Sequence, residues 1–136
     1  MDIHDNFVNS KAVLDYLCNK YNIKERIIIE SKNIAVLKRY KESDYFISYW
    51  LPNYHLFGSI FSIFDVKSNI LKVIPNAISC DYHSLHFYTK KFPNYTIHCW
   101  TNEMVEEKDK ERILKISKNK NIRIILTDFK DNFLKK

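Results

Sequence analysis

The sequence predicts an α+β fold with a mixed sheet: an N-terminal helix, an antiparallel β-meander, then helix-strand-helix-strand. Three observations predict it. The 136 residues suffice for one domain with a real core and not for two, so residues 1–136 are read as a single domain. Between residues 26 and 74 the chain is rich in Ile, Val, Phe and Tyr, broken by short polar turns. Beyond residue 80 the apolar residues shift to helical spacing, with β-rich runs between.

The elements follow in order. Residues 10–24 form a helix with Ser10 as N-cap, because Val13, Leu14, Leu17, Cys18 and Tyr21 make one apolar stripe and Lys11 and Asp15 fall on the wet side. R-I-I-I-E-S-K, 26–32, is a short strand. Asn33 turns into I-A-V-L-K-R-Y as a second strand. A polar turn at 41–43 leads into the β-rich run Asp44–Leu51, and 52–55 is a loop. Leu56–Val66 and Ile70–Ile74 complete the meander, with a Ser68-Asn69 turn between them and Pro75 as the stop.

Asp81 or Ser79 caps a helix over 82–92 that carries Leu85, Tyr88 and Phe92 and ends at Pro93. Y-T-I-H-C-W, 95–100, is a strand. Thr101 or Asn102 then caps a helix with Glu103, Glu106 and Glu107 early and Lys115, Lys118 and Lys120 late, a charge order that suits the helix dipole. Asn121 leads into the last strand, I-R-I-I-L, and 127–136 is a polar tail expected to fray.

Composition removes several function classes. The single glycine, Gly58, excludes sites built on glycine-rich phosphate loops. Three cysteines without framework spacing indicate a reducing, cytoplasmic setting. No apolar run reaches the ~18 residues of a membrane span, so no membrane partner is expected. The net charge of +6 points to an acidic partner such as nucleic acid, although 18 of the 22 basic residues are lysine.

The first candidate site is I-F-S-I-F-D-V-K-S-N, 60–69. On a strand, Asp65 and Lys67 share a face, and a carboxylate beside an amine can hold a divalent metal and polarise a water against a phosphodiester. A hairpin about the 52–55 loop sets Asp44 opposite either Phe64 or Asp65; only the second register brings the two carboxylates together. S-D-Y-F-I-S with Asp44 and S-I-F-D-V-K-S-N with Asp65 and Lys67 resemble the PD-(D/E)xK nuclease superfamily over residues 10–100. The resemblance implies Mg²⁺ on Asp44 and Asp65, Lys67 acting on the water, and a metal-dependent nuclease or nuclease-like nucleic-acid binder. Ser43 stands where that family usually has proline, and acid-x-Lys recurs at Glu30–Lys32, Glu106–Lys108 and Asp128–Lys130.

Three other readings stand beside it. Cys80, His83, His86, His98 and Cys99 carry zinc-type donors, but His98 and Cys99 are adjacent on a strand and point to opposite faces. The element order over 82–126, with Asn102 after its strand, resembles the second half of the GNAT acyltransferases. Its cofactor loop would be P-N-A-I-S-C-D-Y, which lacks glycine, so that resemblance implies the shape without the activity. The last is a non-enzymatic binding or inhibitory protein of mobile-element or immunity type. It would use Tyr45, Phe46, Tyr49, Trp50 and the 54–57 aromatics with Lys38, Arg39 and Lys41 to hold a protein or nucleic acid.

Overall fold

The computed structural model describes residues 7–53, 60–101 and 107–126. The expected 54–57 aromatics, the Asn102 cap, the early glutamates of the last long helix and the polar tail lie outside the described residues. The chain divides into two compact units, the first drawn from residues up to Trp50 and Ser59–Asn76, the second from Leu51–Gly58 and Ala77 onward.

In the first unit α1 (Phe7–Tyr21) is followed by a short 3-10 turn, β1 (Ile28–Ser31), α2 (Ile34–Lys41), β2 (Phe46–Trp50) and α3 (Ile60–Val73). β1 and β2 pair parallel, Ile29 opposite Ile47 and Glu30 opposite Ser48. In the second unit β3 (Ala77–Asp81), α4 (Tyr82–Lys91), β4 (Thr96–Trp100), α5 (Glu107–Ser117) and β5 (Ile122–Leu126) follow one another. β3 pairs parallel with β4 and β4 parallel with β5, with an irregularity in the second ladder between Ile97 and His98.

The antiparallel meander is therefore corrected to an α/β arrangement in which every described strand pairing is parallel. Three expected strands fall within two helices. I-A-V-L-K-R-Y is α2: the Asn33 side chain accepts the N–H groups of Ala35 and Val36, which starts a helix at once. Val36, Leu37 and Tyr40 are its buried residues, a helical spacing. The supposed strand–turn–strand over 60–74 is α3, with Val66, Ile70 and Val73 buried along one stripe. β-propensity is a weak guide where burial at i, i+4 and i+7 outweighs it. α1 starts at Phe7, so Ser10 lies within the helix and is not its cap. One strand is new: β3 occupies the stretch expected to be a loop before residue 82.

Specific contacts lock the first unit. The Tyr45 hydroxyl donates to Asp15 of α1 at 2.7 Å, and Lys11 holds the other Asp15 oxygen at 2.5 Å. Partial burial works to raise the Asp15 pKa, but these bonds hold it below the usual carboxylate value. The Tyr45 ring meets Tyr40 of α2 edge to face, and Asn69 of α3 donates to the Tyr49 hydroxyl at 3.0 Å. Tyr45, Ile47 and Tyr49 thus mark the side of β2 that the helices cover.

Lys41, at the end of α2, donates to the carbonyls of Val73 and Ile74 at the end of α3. Its ammonium satisfies acceptors the helix leaves open and opposes the negative end of the helix dipole. Ile74 then turns the chain at φ 46°, a left-handed conformation a β-branched residue adopts at a cost.

Two stability changes follow. Ile74 is 63% exposed, so Ile74→Gly removes the left-handed strain with little packing loss and raises urea-unfolding stability by about 1 kcal/mol. Lys41→Met lowers it by about 1 kcal/mol. A drop with the glycine variant would show that the Ile74 side chain contributes more than its backbone costs.

Candidate functional site at the carboxyl ends of the second unit's strands

β3 reads A-I-S-C-D and β4 reads T-I-H-C-W, and the register sets them position against position. Ile78 lies beside Ile97 and Cys80 beside Cys99 on one face; Ser79 lies beside His98 and Asp81 beside Trp100 on the other. The apolar face is fully buried and matches the buried stripes of the crossover helices, Leu85 and Tyr88 on α4 and Ile113 and Ile116 on α5. Right-handed crossovers between successive neighbouring strands place both helices on the same side of the sheet. Ser79 and His98 therefore face away from the helices, yet they are as buried as the aliphatic residues, at 0% and 2% exposure.

That burial is unusual in its chemistry. Parallel strands buried on both faces ordinarily read as continuous aliphatic runs. Here one face is polar, and the polarity continues to the carboxyl ends of the strands, with half-buried Asp81 and Trp100 and buried Thr101. The first unit repeats the pattern: Glu30 and Ser48 are paired in register, while Ile29 and Ile47 form the apolar side.

The strand ends are well built. Asp81 closes β3 and caps α4, its Oδ1 accepting the His83 N–H at 2.6 Å and the Ser84 N–H at 3.2 Å. The Ser84 hydroxyl lies 3.3 Å from Asp81 Oδ2 and 3.2 Å from Asn53 Oδ1. Tyr88 donates to the Pro52 carbonyl at 2.6 Å, and the Leu51 N–H donates to the Ser79 carbonyl at 2.8 Å. The 51–53 segment is thereby fastened beside Asp81.

His98 is held neutral. Burial, with the Arg123 charge adding to it, brings its pKa down to about 4. A neutral imidazole offers one donor and one acceptor, and so weak a base is suited to orienting a partner rather than to taking a proton at neutral pH. Cys99, on the opposite face, has its thiol pushed up to about 12 by burial and by the Asp81 charge, so it stays protonated and packs as a small apolar group.

The residues singled out from sequence fall elsewhere. Asp44 lies in an exposed left-handed turn at φ 57° ahead of β2. It borders a cavity of about 570 Å³ with Lys24, Glu25, Lys41, Tyr45, Phe46 and Asn76. Asp65 and Lys67 are exposed on α3, not on a strand, where residues two apart project from different sides of the helix. The last turn of α3 meets Lys41 beside the Asp44 turn, and Asp65 is eight residues back, roughly 12 Å along the axis. Asp65 acts instead on Tyr49, whose hydroxyl pKa is raised by burial and then by that charge. Asp44 and Asp65 thus stand on a turn and a helix, not on the facing strands of a hairpin.

Of the zinc-type donors, Cys80 and Cys99 lie under the helices, His98 points the other way, and His83 and His86 are exposed on α4. Among the described residues, no group of three or more His, Cys, Asp or Glu could hold a metal ion. No described helix is long and apolar enough to cross a membrane.

No family model, curated protein or solved structure matches the chain.

Sequence reasoning missed Trp100, and gave Ser79, Asp81 and Thr101 only capping roles. A signal was present: A-I-S-C-D and T-I-H-C-W share an I-x-C alternation, and each precedes a helix.

Because the His98 pKa is lowered on folding, the unfolded chain binds the extra proton first as pH falls. The stabilisation is complete above the ordinary value of about 6.5 and is lost towards pH 4, a loss on the order of 3 kcal/mol. Urea midpoints measured from pH 7 to 4.5 should fall for the parent chain and run flatter for His98→Asn. Parallel curves would show that His98 is not buried neutral.

Proposed function

We propose that the chain is a small-ligand-binding α/β protein whose site is the carboxyl edge of β3 and β4. The ligand is a polar, hydroxyl-bearing molecule of sugar or polyol type. One observation carries this reading: the buried, in-register Ser79–His98 pair on the sheet face that the helices do not cover. Polar side chains buried on a strand face cost stability that aliphatic residues there would not, and this polar face continues to Asp81, Trp100 and Thr101 at the strand ends.

Fold-level rules point the same way. In α/β proteins, whether barrels or open sheets, ligands bind at the carboxyl ends of parallel strands. With successive strands adjacent and both helices on one side, the second unit is built like a stretch of (β/α)-barrel wall, whose inner face turns toward such a site. The donor set also selects the ligand class. Serine, threonine and neutral histidine each both donate and accept, which matches alcohol groups, and the Trp100 indole offers a flat apolar face for a carbon ring. The Asp81 carboxylate beside them disfavours an anionic ligand.

Myo-inositol, glucose and inorganic phosphate, titrated into labelled protein and followed by amide shifts, test this reading. Myo-inositol or glucose should shift Asp81, Trp100 and Thr101 with saturation in the millimolar range, phosphate should not, and Trp100→Ala should weaken binding about tenfold. Sugars that leave these amides unmoved, or binding indifferent to Trp100→Ala, would overturn it. So would Mg²⁺-dependent hydrolysis of bis(4-nitrophenyl) phosphate that disappears in Asp65→Ala, which would return the chain to the metal-dependent nuclease class.

A further inference from the structure

On the helix side of the second unit, α4 and α5 leave a groove of about 550 Å³ between them. His83 and His86 stand one turn apart on α4, and Arg112 and Lys115 one turn apart on α5. The groove has an apolar floor, since Leu85 and Ile116, which also line it, are buried. No described aspartate or glutamate lines it. The lining runs from Tyr82 to Thr89 along α4, roughly 10 Å of helix.

A rim with two permanent cations and two imidazole groups, above a floor of two aliphatic side chains, complements a particular kind of surface. Carboxylates spaced a turn apart match the rim, and one or two apolar side chains between them match the floor. A metal ion is disfavoured by the guanidinium and ammonium groups that would share its site. We infer that this groove is a docking site for an acidic, leucine-bearing segment of a partner protein. It opens between the helices, and its α4 rim begins at Tyr82 and His83, directly after Asp81 of the strand-end site.

Fluorescence anisotropy with the full chain tests the inference. The probe is a labelled Glu-Glu-Leu-Glu-Glu-Leu-Glu-Glu peptide, compared with its lysine counterpart and with a labelled eight-nucleotide RNA. The acidic peptide should bind, weaken as salt is raised, and lose at least about tenfold in affinity in Arg112→Glu/Lys115→Glu, while Lys38→Glu on α2 leaves binding unchanged. If charge reversal disturbs the fold by circular dichroism, Lys115→Gln/His86→Gln should still weaken binding about threefold. Acidic-peptide affinity unchanged in the groove variants would overturn the proposal. Equal or tighter binding of the lysine peptide, or of the RNA with loss in those same variants, would also overturn it.

Discussion

Every described strand pairing in this chain is parallel, and that constraint organises everything else. A parallel strand cannot be followed by a tight turn back to its neighbour; the chain must first return along the sheet, and a helix is the usual means. α2 therefore has to stand between β1 and β2, α4 between β3 and β4, and α5 between β4 and β5. The return helices need an apolar surface to lie on, and Ile29, Ile47, Ile78, Cys80, Ile97 and Cys99 supply it. Where each strand meets its helix is also set by this geometry: Asp81 is both the last residue of β3 and the cap of α4.

The strands have two chemically different sides. One side is apolar and lies under the helices. The other carries Glu30 and Ser48 in the first unit and Ser79, His98, Asp81 and Trp100 in the second. Stability alone would place aliphatic residues on both sides, so the polar side gives up burial energy. His98 shows the consequence in its chemistry: burial and Arg123 keep it neutral, which makes it a fixed donor and acceptor instead of a charge. The same burial silences Cys99 on the other side, so neighbouring residues on one strand hold opposite roles.

Much of the second unit was legible in the sequence. Asp81 as a cap, the helix ending before Pro93, the strand T-I-H-C-W and the last strand all correspond to described elements. These segments carry strong local signals: a capping side chain, a proline stop, and β-branched runs that nothing local contradicts. The first unit was less legible. I-A-V-L-K-R-Y is dense in β-formers, and its helical burial of Val36, Leu37 and Tyr40 competes with that composition. Lys67-Ser68-Asn69 looks like a turn, yet Asn69 sits mid-helix and reaches the Tyr49 hydroxyl. Asp44, Asp65 and Lys67 drew attention through a strand geometry that α3 replaces, and so their proximity in a hairpin has no counterpart in the fold.

The sequence by itself determined the alternation of apolar and polar residues, the helix caps and stops, and the scarcity of glycine that removes phosphate-loop chemistry. Those properties act over one to four residues, within reach of local sterics and hydrogen bonding. Only the tertiary structure decided strand direction, and with it which side of each strand the helices cover. A strand's own sequence pairs almost as well either way; the choice is made by whether the intervening segment folds as a turn or as a helix that needs the sheet for its apolar face. Once α2, α4 and α5 took the second course, Ser79 came to lie beside His98 and Asp81 beside Trp100, from residues nearly twenty positions apart in the chain.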